Sequence, residues 1–430
     1  MKRTVPRIRR WVRTLFVAAA ACLAGALAIT VIWVRSGPPL RVWHTEELTA
    51  EFSEKKAARV RSLADYLKLE DALFAQLETQ VYAQTETGRA NTLVRYSAGS
   101  AADPRRWKKN WNRSYELPVD TPKAGVLLLH GMSDSPYSLR ALGAALNGRG
   151  LWVTGMRLPG HGTAPSGLVT VRWEDMAAAV QLAMVDLQSK VAGAPVHIVG
   201  YSTGASLAVS FALDSLDGVV SPRPASLVLI SPAIGITRLA GLAHWKVRFA
   251  ALPGLARMAW TDINPEFDPF KYNSFTSNAA VQVHRLTHTL TSRLAAQAGS
   301  GRIEGFPPTL VFASAADATV LVDAVVDDLL DRLAPAGHEL VLFDINRNSV
   351  ASTVLVSDPA PLPARLLRDE ALPFALGLIT NENDESAALV RRRLLGCTLI
   401  ARSRWWLGCW ASLKRERLMS PSIPNIRENG

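Results

Sequence analysis

The most chemically suggestive feature of this 430-residue sequence is one serine in a short run: Pro195-Val-His-Ile-Val-Gly200-Tyr201-Ser202-Thr203-Gly204. An apolar stretch fit for a buried strand leads into G-x-S-x-G, and a helix-forming stretch starts at Ala205. A sharp strand-to-helix turn projects a serine hydroxyl into open space, and Gly200 and Gly204 relieve the crowded backbone there. The helix N-terminus then offers unpaired N–H groups to a developing oxyanion. That is the chemistry of acyl transfer, with Ser202 as nucleophile. A serine in an ordinary glycine-rich turn would need neither the strand before it nor the helix after it.

Three further stretches carry groups that such chemistry uses. Val126-Leu-Leu-Leu-His130-Gly131-Met132 is a buried strand ending in His-Gly. Gly155-Met-Arg157-Leu-Pro159-Gly160-His161-Gly162 follows a second strand. Pro308-Thr-Leu-Val-Phe-Ala-Ser314-Ala-Ala-Asp317 places an acid after a third, where it could orient a histidine.

The elements that must position these groups alternate regularly. Short apolar runs at 125–129, 151–156, 195–199, 225–230, 308–313 and 339–343 are separated by helical periodicity at 136–149, 173–190, 203–217 and 319–334. Strands alternating with helices imply a parallel sheet with right-handed crossovers. The fold class expected is α/β: an α/β-hydrolase fold, with a mostly parallel central sheet flanked by helices. The gap from 232 to 306 is longer than one crossover needs and is rich in aromatics, so it reads as a helical cap insertion. Residues 37–122 read as a helical extension with the first strands, 123–390 as the core with its cap, and 391–430 as a divergent basic tail. In this fold the loop after the first buried strand supplies one oxyanion donor. The backbone N–H groups of Met132 and Thr203 are therefore the expected oxyanion hole. His130, in that loop, reads as a loop-ordering residue rather than a base, with Gly131 supporting the turn.

His-Gly after one strand, R-x-P-G-H-G after the next and G-Y-S-T-G after the third resemble the monoacylglycerol-lipase-like branch of the α/β hydrolases, also called serine aminopeptidase-like. WHTEEL at 43–48, NWNRSYEL at 110–117, LLLHGMSDSPYSLRAL at 127–142, NPEFDPFKYNSF at 264–275 and HELVLFDINR at 338–347 are similar to a bacterial, membrane-anchored subgroup of that branch, over roughly residues 40–390. The resemblance implies that His161 shapes its loop and is not the triad histidine. It also implies that Asp317, in an S-x-x-D-x-x-V pattern, is the triad acid. Asp344 is the second candidate for that role.

The triad histidine is unassigned. It should follow the last strand, yet the last histidine in the chain, His338, precedes 339–343. The i,i+4 pair His284 and His288 reads as polar helix-face residues. Without a base, Ser202 would be a poor nucleophile. The resemblance implies an ending Ser-His-Val-Ala-Leu-Pro-Phe. Were Leu418-Met419-Ser420-Pro421 encoded CTC ATG TCG CCC, a shifted frame would read His-Val-Ala, so the tail is open to a frame-shift explanation. Finding no nearby insertion or deletion in the gene relative to its nearest relatives would remove that explanation.

The formal charge of +11 is concentrated at the ends. Residues 1–35 and 391–430 each carry +7, leaving the middle at −3 and excluding a basic nucleic-acid groove there. The three cysteines, Cys22, Cys397 and Cys409, all lie outside 35–395, so the body has no disulfide and no cysteine ligand for a metal. No metal or cofactor is expected. Residues 1–36 pair a basic start with an apolar run from Trp11 to Val34, which reads as a transmembrane signal anchor. The alternative there is a cleaved signal peptide. The expected location is the inner membrane, single-pass, with a cytoplasmic N-terminus and an exported, periplasmic hydrolase domain. The expected partner is a small acyl or ester substrate, cleaved by a serine esterase or lipase-like enzyme. The competing reading is a catalytically inactive, membrane-tethered binding protein.

Overall fold

The computed structural model describes residues 5–56, 59–235, 243–317, 319–344, 358, 360–381 and 390–395. The helices are α1 (Val5–Ser36), α2 (Val42–Thr45), α3 (Leu63–Gln80), α4 (Arg140–Asn147), α5 (Gly167–Thr170), α6 (Trp173–Lys190), α7 (Thr203–Leu216), α8 (Ala243–Ala250), α9 (Ser277–Ala298), α10 (Val322–Ala324) and α11 (Pro361–Leu366). The strands are β1 (Tyr115–Leu117), β2 (Ala124–Leu129), β3 (Leu151–Met156), β4 (Val196–Tyr201), β5 (Ser226–Ile230), β6 (Trp260–Asp262), β7 (Phe275–Thr276), β8 (Thr309–Ser314), β9 (Glu339–Asp344), β10 (Ala375–Asn381) and β11 (Val390–Leu395).

Nine strands form one sheet in the order β1-β3-β2-β4-β5-β8-β9-β10-β11. Its interior is parallel, and β1 and β11 close the two edges antiparallel. Alternate residues of each strand face opposite layers. Leu127, Leu129, Ile198, Leu227, Leu229, Val311, Leu340 and Leu342 join the main core beneath α6, α7 and α9. Val126, Leu128, Val199 and Val228 face the other layer with Tyr115 and Leu139. The parallel sheet expected from the alternation is present, in the α/β-hydrolase arrangement that the serine turn and the family resemblance implied.

Four expectations change. The stretch 232–306 is not all cap: α9 occupies its last third, and Leu286, Leu290 and Leu294 are in the main core with Leu207 and Phe211 of α7. It is the crossover helix into β8, so the cap reduces to the segment before it, holding α8 and the β6–β7 hairpin. Residues 319–334 form no regular helix, only α10, one π turn over Val325–Leu329 and one 3-10 turn over Leu330–Arg332. Val320, Val322, Val325 and Val326 are stiff in a helix and four aspartates crowd the same stretch, which accounts for the break. Beyond β9 the sheet continues into β10 and β11, and β11 runs across the boundary drawn at 390.

The fourth change concerns the N-terminus. α1 is one 32-residue helix that takes Arg7, Arg9, Arg10 and Arg13 into its own first turns. Among the described residues, no helix is long and apolar enough to cross a membrane, so the expected transmembrane helix is not found. Trp11, Leu15, Phe16, Ile29 and Ile32 are nonetheless exposed on α1.

Candidate active site

Ser202 ends the turn between β4 and α7 with φ 53° and ψ −116°, a conformation that L residues rarely adopt. Strain of this kind persists only where the surroundings enforce it. Here the Ser202 N–H donates to Ile230 O on β5 (2.9 Å), and Ser202 O accepts from Ala205 N (3.0 Å) and Ser206 N (3.2 Å). Gly200 and Gly204 make the turn possible. A Cβ on Gly200 would lie 2.5 Å from the Ala205 backbone, and one on Gly204 would lie 2.6 Å from His130 O and closer still to Leu129 O. The start of α7 is therefore pressed against the end of β2.

Gly131 closes the site from the β2 side: a Cβ there would be 3.2 Å from the Ser202 Cβ. The next residue is Met132. Among the described residues, the N–H groups of Met132 and Thr203 meet no acceptor, and neither does the half-buried Ser202 hydroxyl have a partner. A strained serine thus sits between two loops whose first free amides are unpaired.

The two histidine-containing loops are tied to each other. His130 Nδ1–H donates to Gly131 O (2.9 Å), and His130 Nε2 accepts from Leu158 N (3.0 Å). Both nitrogens are occupied, and burial, with His161 nearby, holds the ring well below its ordinary pKa. His130 thus ties the loop after β2 to Leu158. His161 donates Nδ1–H to Pro159 O (2.9 Å), and burial lowers its pKa to about 4. Its ring lies 5.0 Å from His130 and stacks beneath Tyr272, whose hydroxyl accepts from Thr163 N (2.8 Å).

Residues far apart in sequence hold this loop, and no local pattern marks them. Arg157, 1% exposed, donates Nη1 and Nη2 to the Glu51 carboxylate (3.0 and 2.9 Å), Nε to Glu70 (3.1 Å) and Nη1 to His161 O (3.0 Å). Glu51 also accepts from Gly160 N (2.8 Å), and Glu70 accepts from Ser114. Burial pushes the Glu51 carboxyl up, but the charge and hydrogen bonds of Arg157 outweigh it and hold it below its usual range.

Asp317 follows β8, with β5 between it and the serine strand. Its carboxylate accepts from Thr319 N (2.9 Å) and Val320 N (3.0 Å), fixing the turn. A further carboxylate, overlooked in the sequence, lies on the loop after β2: Asp134, whose N–H donates to Gly131 O (3.2 Å). Burial, then the charges of Asp134 and Asp317, push the Tyr201 phenol up. Burial pushes Asp134 itself up to about 6, opposed by Lys271 and reinforced by Asp268. Because the folded pKa lies above the unfolded one, the native state holds this proton more tightly. Stability should fall as pH rises from about 4 to about 6 and stay flat above. Asp134→Asn is expected to remove that slope and to be more stable than the parent at pH 7 by about 1–3 kcal/mol. Urea unfolding at pH 4, 5 and 7 checks this, and parallel curves for both proteins would refute it.

No histidine is bonded to Ser202 or Asp317. His338 precedes β9 and donates Nε2–H to Ala334 O (3.1 Å), and His197 is at the start of β4 beside Ser226. Both lie toward the amino ends of the strands, roughly 15 Å along the strand direction from the carboxyl ends where Ser202 sits. His284 and His288 lie on α9, not in the cap, with rings 6.3 Å apart, and His44 contacts Ser274 (3.0 Å). His244 is exposed on α8. The part of the tail in which a shifted frame would restore a histidine, from 396 on, lies with Cys397 and Cys409 outside the described residues. Among the described residues no group of His, Cys, Asp and Glu could hold a metal ion.

Residues 120–346 match the family described as serine aminopeptidase, S33. Similar solved structures include a metagenome-derived lipolytic enzyme of the LipS and LipT pair (19% identity, 54% of this chain and 87% of that one, TM-score 0.44). Others are a monoglyceride lipase from Saccharomyces cerevisiae (13%, 53% and 81%, 0.42) and a monoacylglycerol lipase from Paleococcus ferrophilus (18%, 54% and 87%, 0.40). These likenesses are too distant to carry an argument about activity. No curated protein matches the chain.

Proposed function

The chain belongs to the serine aminopeptidase S33 family of hydrolases, and on that premise we propose that it cleaves carboxylic esters through an acyl-enzyme on Ser202. The observation that carries this reading is the strained Ser202 between the unpaired amides of Met132 and Thr203. Ser202 Oγ attacks the ester carbonyl and gives up its proton to a base. The two amides hold the oxyanion. The alcohol leaves with a proton, and water then releases the acid. Asp317 supports the base. An amide would be attacked in the same way, so peptidase activity shares this chemistry.

The second reading, an inactive binding protein, is favoured by one observation: none of the eight histidines is bonded to Ser202 or Asp317. Hydrolysis of a short p-nitrophenyl ester by the full chain, beside Ser202→Ala, separates the two. Turnover is expected, and it should fall in the variant by on the order of 10³-fold or more. Equal, near-background rates in both would leave the binding protein.

Location is part of the proposal. In this reading the protein sits at the inner membrane with its hydrolase domain exported, as a basic start before an apolar run would favour. The support is the sequence and the exposed apolar side chains of α1, not a spanning helix.

A further inference from the structure

The cap turns an apolar edge to solvent. On α8, Trp245 is 58% exposed and Phe249 44%, and Leu252 in the following turn is 47% exposed. Trp245 and Phe249 are four residues apart on one helix face, with ring centroids 6.5 Å apart and inclined by 28°. From Phe249 to Ala256 the chain reads Phe-Ala-Ala-Leu-Pro-Gly-Leu-Ala without a charge, and Ala251, Leu252, Pro253 and Gly254 are all exposed. A soluble surface seldom leaves large apolar side chains clustered in this way without a partner.

The charges carried by this stretch of chain have one sign. Between 243 and 259 there is no acid, while Lys246, Arg248 and Arg257 are present. The Arg248 guanidinium lies 5.6 Å from the Trp245 ring, and Lys246 is turned back to donate to Trp260 O (3.0 Å). An aromatic tip with an arginine beside it suits the boundary between anionic headgroups and acyl chains, because the rings enter the apolar layer while the guanidinium stays at headgroup level. A second exposed apolar surface belongs to α1. α1 packs against the 3-10 turn Ala256–Ala259 that follows this tip, and α1 also leaves Trp11, Leu15 and Phe16 exposed.

We propose that the α8 edge of the cap, through Trp245, Phe249 and Leu252, docks into the surface of a bilayer bearing anionic lipid. The acyl-ester activity plays no part in this inference. It does rest on the reading that the protein resides at a membrane, and the experiment keeps the two apart.

The test uses the full chain with Cys22, Cys397 and Cys409 replaced by Ser and a nitroxide on Leu252→Cys, with Glu304→Cys labelled as the exposed control away from the cap. Vesicles of phosphatidylcholine with phosphatidylglycerol, or of phosphatidylcholine alone, are floated with the protein. Collisions of the label with oxygen and with a water-soluble nickel chelate are then measured by electron paramagnetic resonance. The proposal expects flotation, loss of nickel collisions at 252 but not at 304, and weaker loss on vesicles without phosphatidylglycerol. Absence of flotation would overturn the membrane reading and the docking edge together. Flotation with a label at 252 as accessible to nickel as that at 304 would overturn the docking edge alone. A label at 252 already shielded without vesicles would mean that protein, from this chain or a second copy, covers the edge. That result would also overturn the proposal. Replacing Trp245 and Phe249 by Ser should restore nickel access at 252, and unchanged shielding in that variant would count against these two rings.

Discussion

Arg157→Met is expected to lower the unfolding free energy by about 3–5 kcal/mol, the usual result of stripping one partner from a buried ionic cluster. The arginine is 1% exposed, and two carboxylates converge on it from Glu51 and Glu70, the latter 2% exposed. Removing the guanidinium strands both acids and frees the backbone oxygen of His161 and the Gly160 region they jointly hold. The loop carrying His161 would then lose its support against His130 and Tyr272. Charge and packing can be told apart by adding Glu51→Gln and Glu70→Gln to Arg157→Met. Most of the lost stability should return, because amides cost far less to bury unpaired than carboxylates. Since the Glu51 carboxyl is held below its usual range, its own contribution is complete at neutral pH and fades as pH falls through that range. Urea unfolding of the three proteins at pH 7 measures the effects. A triple variant no more stable than Arg157→Met would show that the guanidinium acts by filling space.

Gly204→Ala should be nearly as damaging although it adds one methyl group. Overpacking ordinarily costs about 1–3 kcal/mol when side chains can yield. The atoms met here are the backbone oxygens of Leu129 and His130, which are fixed in and beside the sheet. Either α7 lifts away from β2 or the elbow distorts, and both move Thr203 N–H and Ser202 relative to Met132. A loss of about 3 kcal/mol or more is expected by urea unfolding, with ester hydrolysis falling further than stability alone explains. Gly301→Ala is the control, because its added carbon would have nothing closer than Ala298 O at 3.9 Å. Equal midpoints for the two variants would contradict the close approach of α7 to β2.

The strained turn at Ser202 was legible because strand, glycines and helix are contiguous, so a window of ten residues from Pro195 to Gly204 holds the whole turn. The sheet was legible for a related reason: β2, β4 and β5 are buried on both faces and read as apolar runs. The role of α9 was not, since polar residues between its leucines made the long gap look like one inserted cap. β10 and β11 were missed because they follow a stretch with no motif and change the pattern of the chain at its basic end. The Arg157 cluster was invisible for another reason. Its partners are 87 and 106 residues away, and an isolated glutamate in the N-terminal extension carries no sign of the arginine it will meet. Asp134 escaped notice because its environment comes from Tyr201, Asp268 and Lys271, which only the fold brings near.

Glu51, Glu70 and β1 all precede residue 120, where the family match begins. A fragment trimmed to that evolutionary unit would keep Arg157 as a naked interior cation and leave β3 as an unprotected sheet edge, a template for aggregation. The stretch recognisable by ancestry and the stretch able to fold are therefore different lengths of chain. Expression of the recognisable stretch by itself should yield inclusion bodies rather than a soluble domain.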